Sequence, residues 1–287
     1  MKRPSLMILL IFISSCVYFQ NPGHGNDDVI VDSNISELNP RQISIDPLSA
    51  RPLYLIQIKA NEPLGTATGF IVEKENKNFL ITNWHVVSGR NPQSGETLNS
   101  EGKTPDALLI WHHGERLGTW KRKREMLIDD QGNKKWIEHK KGKMIDIAAL
   151  PLQNDSDDIK IYPLDLSLAE ANMVPEVAMP VSIIGFPVGL TSAGFFPIWK
   201  TGHIASEPNL DHQNEPLFLI DATTRGGMSG SPVVLRMSGG YKTREGNTIM
   251  SSSGYRTRFL GIYSGRLPRD SEIGRVWRPE LINEILN

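Results

Sequence analysis

The chain has 287 residues, enough for one large β domain or two small ones. Hydrophobic residues make up 39% of it and charged residues 22%, as in an ordinary globular protein. The formal net charge is -1, whereas a protein that depends on phosphate contacts is usually strongly basic, so nucleic acid is not expected as a partner. No His-x-x-x-His or Cys-x-x-Cys pattern occurs. Nothing therefore favours a metalloenzyme, and we expect neither metal nor cofactor.

The first sixteen residues are typical of an export signal. Lys2 and Arg3 give a basic start, and the apolar run Leu6–Ile13 is far too short to span a membrane. The segment Ile13-Ser14-Ser15-Cys16 has the pattern of a bacterial lipobox, whose cysteine is lipidated and becomes the mature N-terminus. Cys16 is the only cysteine, so it cannot form an internal disulfide. We predict an exported, membrane-anchored bacterial lipoprotein facing the periplasm or the cell exterior. The alternatives are a cysteine in an ordinary signal peptide and an uncleaved anchor.

The remainder divides by composition. Residues 17–50 are polar without periodicity, which predicts a flexible tether. Short apolar runs punctuated by Gly, Pro, Asn and Asp predict two sets of strands, over 51–153 and 181–266, joined by an acidic linker at 154–180 and followed by a C-terminal segment at 267–287. The predicted elements are strands at Leu53–Lys59, Thr66–Glu73, Phe79–Thr82, Ala107–His112, Trp120–Asp129, Asp146–Leu152, Val181–Phe186, Phe195–Ile204, Leu217–Ala222, Pro232–Arg236 and Phe259–Tyr263, and a helix at Pro279–Leu286.

The strongest chemical signal is the segment Asp221–Pro232, which contains Gly227-Met228-Ser229-Gly230. A serine nucleophile needs a loop that presents its hydroxyl outward and lets the substrate approach closely, and glycines permit both. The spacing of Gly227 and Ser229 allows both backbone N–H groups to face one point, which would form an oxyanion hole. The alternative is an ordinary glycine-rich β-turn.

Two further segments offer a base and its partner. The predicted strand Phe79–Thr82 leads to His85, and an imidazole suits a base because its pKa lies near working pH. Asp146 heads an apolar run, where a charge is costly unless it has a partner. Accepting a hydrogen bond from the histidine Nδ1–H would supply that partner. The alternatives are a structural histidine and a strand-initiating aspartate, and Asp129 and Asp130 are weaker candidates for the acid.

These segments, in the order His, Asp, Ser, resemble the trypsin-like serine peptidases, and look nearest to the Deg/Htr-type and glutamyl-endopeptidase branches. The resemblance covers about Leu53–Gly265. It implies an all-β fold of two six-stranded antiparallel barrels, with a catalytic cleft between them that holds His85, Asp146 and Ser229. It also implies a serine endopeptidase that cleaves polypeptides through an acyl-enzyme. The alternative is a weak or inactive binding module on the same fold. The matching motifs are Thr68-Gly69-Phe70-Ile71, Thr82-Asn83-Trp84-His85-Val86-Val87, Asp146-Ile147-Ala148 and Gly227-Met228-Ser229-Gly230-Ser231-Pro232.

The departures from the family pattern carry information. Met228 stands where activated digestive proteases have an aspartate that binds a new N-terminal amine, so activation by N-terminal insertion is not expected. Trp84 stands where a small residue is usual, which leaves open how it packs behind the histidine. By resemblance, the substrate pocket is framed by Thr223 and by Tyr263-Ser264-Gly265, and these residues favour neither a glutamate nor a basic preference. The strand Phe259–Ser264 would pair with the substrate backbone.

The predicted hairpin Trp120–Lys143 carries nine Lys or Arg against four acids. It predicts either a basic surface for acidic substrates or lipid head groups, or a solvated hairpin without a role in binding. His112 and His113, just before it, are expected at the surface or at a strand end. The sequence contains no signal for an oligomeric state.

Overall fold

A computed structural model of the chain describes residues 30–31, 44–153, 158–267 and 271–287. The predicted export signal with Cys16 lies outside the described residues, as does most of the predicted tether. Among the described residues, no helix has both the length and the apolar character to cross a membrane. The elements are, in chain order, β1 (Ile30–Val31), β2 (Pro52–Lys59), β3 (Glu62–Lys74), β4 (Lys77–Thr82), α1 (Trp84–Ser88), β5 (Ala107–Gly114), β6 (Thr119–Met126), β7 (Ile137–Glu138), β8 (Ala148–Leu152), β9 (Ile159–Lys160), β10 (Pro180–Gly185), β11 (Ile198–Ile204), β12 (Leu217–Asp221), β13 (Pro232–Lys242), β14 (Thr248–Arg266), β15 (Ile273–Trp277) and α2 (Glu280–Leu286).

The first half of the chain forms a nine-stranded sheet in the order β1-β6-β5-β2-β3-β4-β8-β7, with β9 paired to β5. Every strand pair in it is antiparallel. Leu55, Leu80 and Ile110 are fully buried, because the central strands place large apolar side chains in a common core. The predicted strands of this half are therefore present, with shifted ends.

The first sheet does not close into the six-stranded barrel that the resemblance implies. Closure would require the two ends of the sheet to pair, but each end carries an extra short strand. β7 lies along β8, with Glu138 opposite Ala148, and β1 lies along β6, with Val31 opposite Thr119. The prediction of two closed barrels is thus correct only for the second half.

The second half forms a closed barrel of six strands in the order β10-β11-β12-β15-β14-β13, completed by pairing of β10 with β13. Its interior is apolar, with Ile183, Phe218 and Val233 almost fully buried. β15 was not predicted from the sequence. This short strand contains Gly274, which packs so closely against Tyr263 that an added Cβ would lie 2.6 Å from the ring.

The two halves share a third core. Phe70 of the first sheet meets Phe259 of the barrel edge-on, with ring centroids 5.7 Å apart. The helix α2 contributes Leu281, Ile282 and Ile285 to the same core, as the spacing of its apolar residues predicts. The all-β fold with a short C-terminal helix is confirmed, and the shared core holds the facing surfaces of the two halves together.

His112 and His113 lie near the end of β5, which is one of the two expected positions, but they do not lie at the surface. Both are buried, since β5 is an inner strand, and the His113 ring also packs against Phe196 in the loop before β11, with ring centroids 6.0 Å apart. That loop is held by a hydrogen bond from the Trp120 indole N–H to the Gly194 carbonyl, 2.7 Å long. His113 packs on the Trp120 ring at 4.0 Å and bonds through Nε2 to the Ala50 carbonyl at 3.1 Å.

Candidate active site

The predicted base, His85, is the second residue of α1, directly after the buried strand β4. Asn83 precedes the helix in an extended conformation, and its side-chain amide donates to the Asp146 carbonyl at 2.7 Å. The helix ends after one turn because Gly89 adopts a left-handed conformation with φ 66°. Glycine is needed there, since an added Cβ would lie 2.5 Å from Pro105 Cδ. These contacts fix the orientation of the short helix.

Asp146 and His85 form the closest polar pair of the candidate site. His85 Nδ1 lies 2.7 Å from Asp146 Oδ2, and the His85 backbone N–H donates to Oδ1 at 2.9 Å. The aspartate side chain is 4% exposed and the histidine side chain 16% exposed. Because the carboxylate occupies Nδ1, the other ring nitrogen, Nε2, is left to act as acceptor or donor toward the cleft.

The loop that carries Ser229 docks on β3. The Thr68 N–H donates to the Ser229 carbonyl at 2.8 Å, and the Thr82 hydroxyl donates to the Thr68 carbonyl at 2.8 Å. Gly230 packs so tightly there that an added Cβ would lie 2.0 Å from the Thr68 carbonyl oxygen. The serine loop and the strand leading to His85 are therefore tied to the same residue. Within the described chain the Ser229 hydroxyl and the His85 ring form no direct hydrogen bond.

The backbone of the serine loop is held in one conformation by its neighbours. The Val188 N–H donates to the Gly226 carbonyl at 2.6 Å, and the Thr68 hydroxyl donates to the Gly227 carbonyl at 2.8 Å. Gly227 has φ 88°, which favours glycine, and an added Cβ would lie 2.3 Å from the Phe186 carbonyl oxygen. In the described part of the chain, the N–H groups of Gly227 and Ser229 donate to no other atom.

Met228 lies inside the barrel. It is fully buried among apolar side chains such as Phe218 and Val233. A buried amine at this position would have no counter-charge from residue 228, as the sequence predicts.

Trp84 has a specific partner that explains its size. Its ring is buried, and its indole N–H donates to Glu138 Oε2 at 2.9 Å. Burial alone would raise the pKa of Glu138, but hydrogen bonds from Lys134 and Trp84 outweigh it and lower the pKa. β7, which carries Glu138, pairs with β8 just beyond Asp146. The bulky residue thus links the helix that carries His85 to the segment that carries Asp146, which sequence reasoning missed.

The four residues predicted to bind substrate fall into two groups. Thr223 is exposed and Gly265 is partly exposed, whereas Tyr263 and Ser264 are buried. The Tyr263 hydroxyl is hydrogen-bonded to the hydroxyl of Thr224, and burial is the main cause of its raised pKa. Ser264 Oγ accepts from the Trp277 indole N–H at 3.0 Å. Sequence reasoning missed Thr224, which is fully buried although its neighbour Thr223 is exposed.

Among the described residues, no group of three or more His, Cys, Asp or Glu side chains could hold a metal ion. The arrangement therefore consists of a histidine–aspartate pair, a serine on a glycine-rich loop, and two backbone N–H groups beside that serine. Such an arrangement can perform nucleophilic acyl transfer. The barrel, the shared core and this site together define a protein of the chymotrypsin-like fold class.

Comparison with known proteins assigns the family. The family model for the trypsin-like peptidase domain matches residues 67–239, which include His85, Asp146 and Ser229. Since this match covers more than half of the chain, the chain belongs to the trypsin-like peptidase family and is a serine endopeptidase. No curated protein matches the chain in sequence.

Several solved protease structures are similar at low identity. The active form of the Rv3671c protease from M. tuberculosis is 16% identical, with 83% of this chain and 80% of that chain covered and a TM-score of 0.47. A serine endoprotease from Yersinia pestis is 13% identical, with 85% and 66% covered and a TM-score of 0.46. A thermostable serine protease, AL20, from an extremophilic microorganism is 14% identical, with 84% and 98% covered and a TM-score of 0.46.

Proposed function

We propose that the chain hydrolyses internal peptide bonds through an acyl-enzyme formed on Ser229. His85 Nε2 takes the proton from the Ser229 hydroxyl as the oxygen attacks the scissile carbonyl carbon. The same nitrogen then gives this proton to the leaving amine, and the carbon–nitrogen bond breaks. In the second half of the reaction, water takes the place of the serine hydroxyl and releases the acyl group as a carboxylic acid.

Asp146 orients the base and stabilises its protonated form. Its two oxygens hold His85 at both the ring and the backbone, which leaves the imidazole little freedom to rotate. A buried carboxylate beside the ring also stabilises the imidazolium that forms during attack. This pair is the single observation that carries the proposal.

The N–H groups of Gly227 and Ser229 would stabilise the oxyanion. They donate to no other atom of the described chain, and the carbonyl of the preceding Gly226 is held away from the site by Val188. Preorganised donors of this kind lower the barrier because they need no rearrangement when charge develops. The alternative of an inactive module with a collapsed oxyanion loop is not favoured by this conformation.

The substrate strand would lie along Tyr263-Ser264-Gly265, with the side chain of the residue before the scissile bond directed at Thr223. We place the floor of that pocket at the hydrogen-bonded pair Thr224 and Tyr263. Both residues are buried and uncharged in this arrangement, so the floor offers no counter-charge to a glutamate, lysine or arginine side chain.

Trapping of the acyl-enzyme tests this proposal. The protein is mixed with an activated ester, quenched in acid, and its intact mass is measured before and after digestion into peptides. The proposal expects the added acyl mass on the peptide that contains Ser229, and no adduct in Ser229→Ala. An adduct on another residue, or none in the wild type under conditions where the ester is turned over, contradicts it.

The cellular location of the protein is also a proposal. Cys16 would be lipidated after cleavage of the export signal, and the catalytic domain would then be tethered to a membrane on its outer side. The support is the lipobox pattern and the absence of any second cysteine. Mass spectrometry of the mature N-terminus tests it: an acylated Cys16 is expected, and a soluble form that begins at a later residue contradicts it.

A further inference from the structure

Three lysines stand in the turn between β7 and β8, just before Asp146. We call Lys140, Lys141 and Lys143 the lysine turn. All three are exposed, and within the described chain none of them takes part in an ion pair. The turn itself is well defined, since the Gly142 N–H donates to the His139 carbonyl at 2.7 Å. Three like charges on one short turn repel one another, so the arrangement favours a negatively charged ligand.

Several other basic residues of the predicted hairpin are paired with acids. Lys121 is 2.6 Å from Asp158, and Lys123 is 2.9 Å from Glu125. Lys134 is paired with Glu138. β6, which carries Lys121 and Lys123, also lies toward the opposite end of the sheet from β7. The basic run of the sequence therefore forms two separate features, and within the described chain the three lysines of the lysine turn have no acid paired with them.

The lysine turn lies at the rim of the candidate active site. Lys143 is three residues before Asp146, so their Cα atoms are at most about 11 Å apart. Its ammonium nitrogen lies 3.1 Å from where a Cβ on Gly95 would stand, in the loop that follows α1 and His85. The Lys143 side chain therefore extends from the segment before Asp146 toward the loop that follows His85.

Nearby charges leave the rim positive. The facing loop carries Glu96, which is exposed, and Arg90, whose guanidinium donates to the Gly95 carbonyl at 3.1 Å. On the turn's own side, Glu138 is already bound to Lys134 and Trp84. Glu284 of α2 is also exposed and is bonded through Oε2 to His139 Nε2 at 3.0 Å, next to Lys140. Two exposed acids, Glu96 and Glu284, therefore lie near the three lysines and Arg90.

The rim borders the part of the cleft assigned to the acyl side of the substrate. The strand that contains Ser264 borders the serine loop, because the Gly230 N–H donates to the Tyr263 carbonyl at 2.9 Å. Asp146 lies on the half of the chain that carries His85, to which it is bonded. Residues N-terminal to the scissile bond would run between them.

We propose that the lysine turn binds acidic side chains of polypeptide substrates, on the N-terminal side of the scissile bond. This inference rests on the proposed function, because it uses the cleft that His85, Asp146 and Ser229 define. A membrane surface is disfavoured as the ligand, since head groups seated on the turn would cover the entrance beside His85. Attraction between exposed charges is weak and screened, so we expect two- to fivefold per lysine, falling as salt rises.

Cleavage-site profiling tests the proposal. A proteome-derived peptide mixture is digested, and the frequency of Asp and Glu at the second to fourth positions before the cleaved bond is measured by mass spectrometry. The wild type is expected to enrich acids there about tenfold at 50 mM salt, and much less at 500 mM. The variant with Lys140→Gln, Lys141→Gln and Lys143→Gln is expected to lose the enrichment. Lys160→Gln, an exposed lysine on β9, is the matched control and should retain it.

Three outcomes overturn the proposal: no enrichment of acids in the wild type, enrichment that survives the triple substitution, or equal loss in Lys160→Gln.

A second experiment measures binding to vesicles with 30% phosphatidylglycerol. If the triple substitution abolishes vesicle binding but leaves the cleavage profile unchanged, the lysine turn is assigned to lipid instead. Labelling by a fluorophosphonate should be equal in all variants, since this probe has no peptide segment before the reactive centre. Absence of labelling in the wild type would instead count against the proposed function.

Discussion

The carboxylate of Asp146 holds His85 by two bonds, one to ring Nδ1 at 2.7 Å and one to the backbone N–H at 2.9 Å. The second bond matters because it links the aspartate to the start of α1 as well as to the ring. A carboxylate that held only the ring could swing with it. Here the ring, the helix and the aspartate form one unit, and Asn83 strengthens it by donating to the Asp146 carbonyl.

Replacing either member of this unit should remove most of the activity. We expect His85→Ala and Asp146→Asn each to lower kcat by roughly 10³–10⁶. The first variant removes the base that activates the serine, and the second no longer holds the His85 ring in the tautomer that can accept the serine proton. Adding Ser229→Ala to either variant should change kcat little further, since residues that act as a unit are not additive. Steady-state kinetics on one peptide measure this, and activity close to wild type in Asp146→Asn would require another acid.

Adjacent glycines of the serine loop should respond differently to the same substitution. Gly227→Ala places a Cβ 2.3 Å from the Phe186 carbonyl oxygen at φ 88°, so the N–H should turn away from the oxyanion. We expect kcat to fall about 10²–10³, the usual cost of one lost donor. Gly226→Ala is the control, because nothing lies within 4 Å of an added Cβ there. Comparable losses of kcat in the two variants would argue against a role for the Gly227 N–H.

No proteolytic cut should be needed for activity. Met228 is uncharged and buried, so an inserted N-terminal amine would lose its hydration without gaining a counter-charge, at a cost of several kcal/mol. A shortened chain that begins at residue 44 behind an arbitrary tag should therefore cleave casein without a lag. The experiment follows casein cleavage against time, with and without removal of the tag. Activity that depends on one particular N-terminal residue would contradict this expectation.

Acid should destabilise the fold through two buried histidines. Burial lowers the pKa of His112 from 6.5 to about 3, and burial likewise lowers that of His113 to about 4. Between these values and 6.5 the unfolded chain binds more protons, so stability falls as pH drops through that window. At pH 5 the loss is about 2 kcal/mol for each histidine.

The effect can be measured as the change in Tm between pH 7.5 and pH 5. We expect this change to be smaller in His112→Gln than in the wild type, because one titrating group is gone. His203→Gln removes an exposed histidine and should leave the change as it is. An unaltered pH dependence in His112→Gln would mean that the buried imidazole is not what titrates.

The sequence predicts the parts of the site that depend on short motifs. The order of His85, Asp146 and Ser229, and the loss of a counter-charge at Met228, follow from local residue types. Trp84 could not be interpreted that way, because its partner Glu138 is 54 residues away and lies on an inserted strand. The first sheet stays open for a similar reason, since two-residue strands such as β1 and β7 leave almost no periodic signal. The burial of His113 was also missed, because its ring packs against Phe196, in a loop from the second half of the chain.

Labelling with a fluorophosphonate tests the central claim most directly, because the probe reacts only with a serine that an adjacent base has activated. The wild-type protein should be labelled on the peptide that contains Ser229, and prior treatment with an inhibitor of the same class should block the label. Ser229→Ala, folded as judged by an unchanged Tm, should take up no label. Persistent labelling of Ser229→Ala, or an unlabelled and fully folded wild type, would contradict the account.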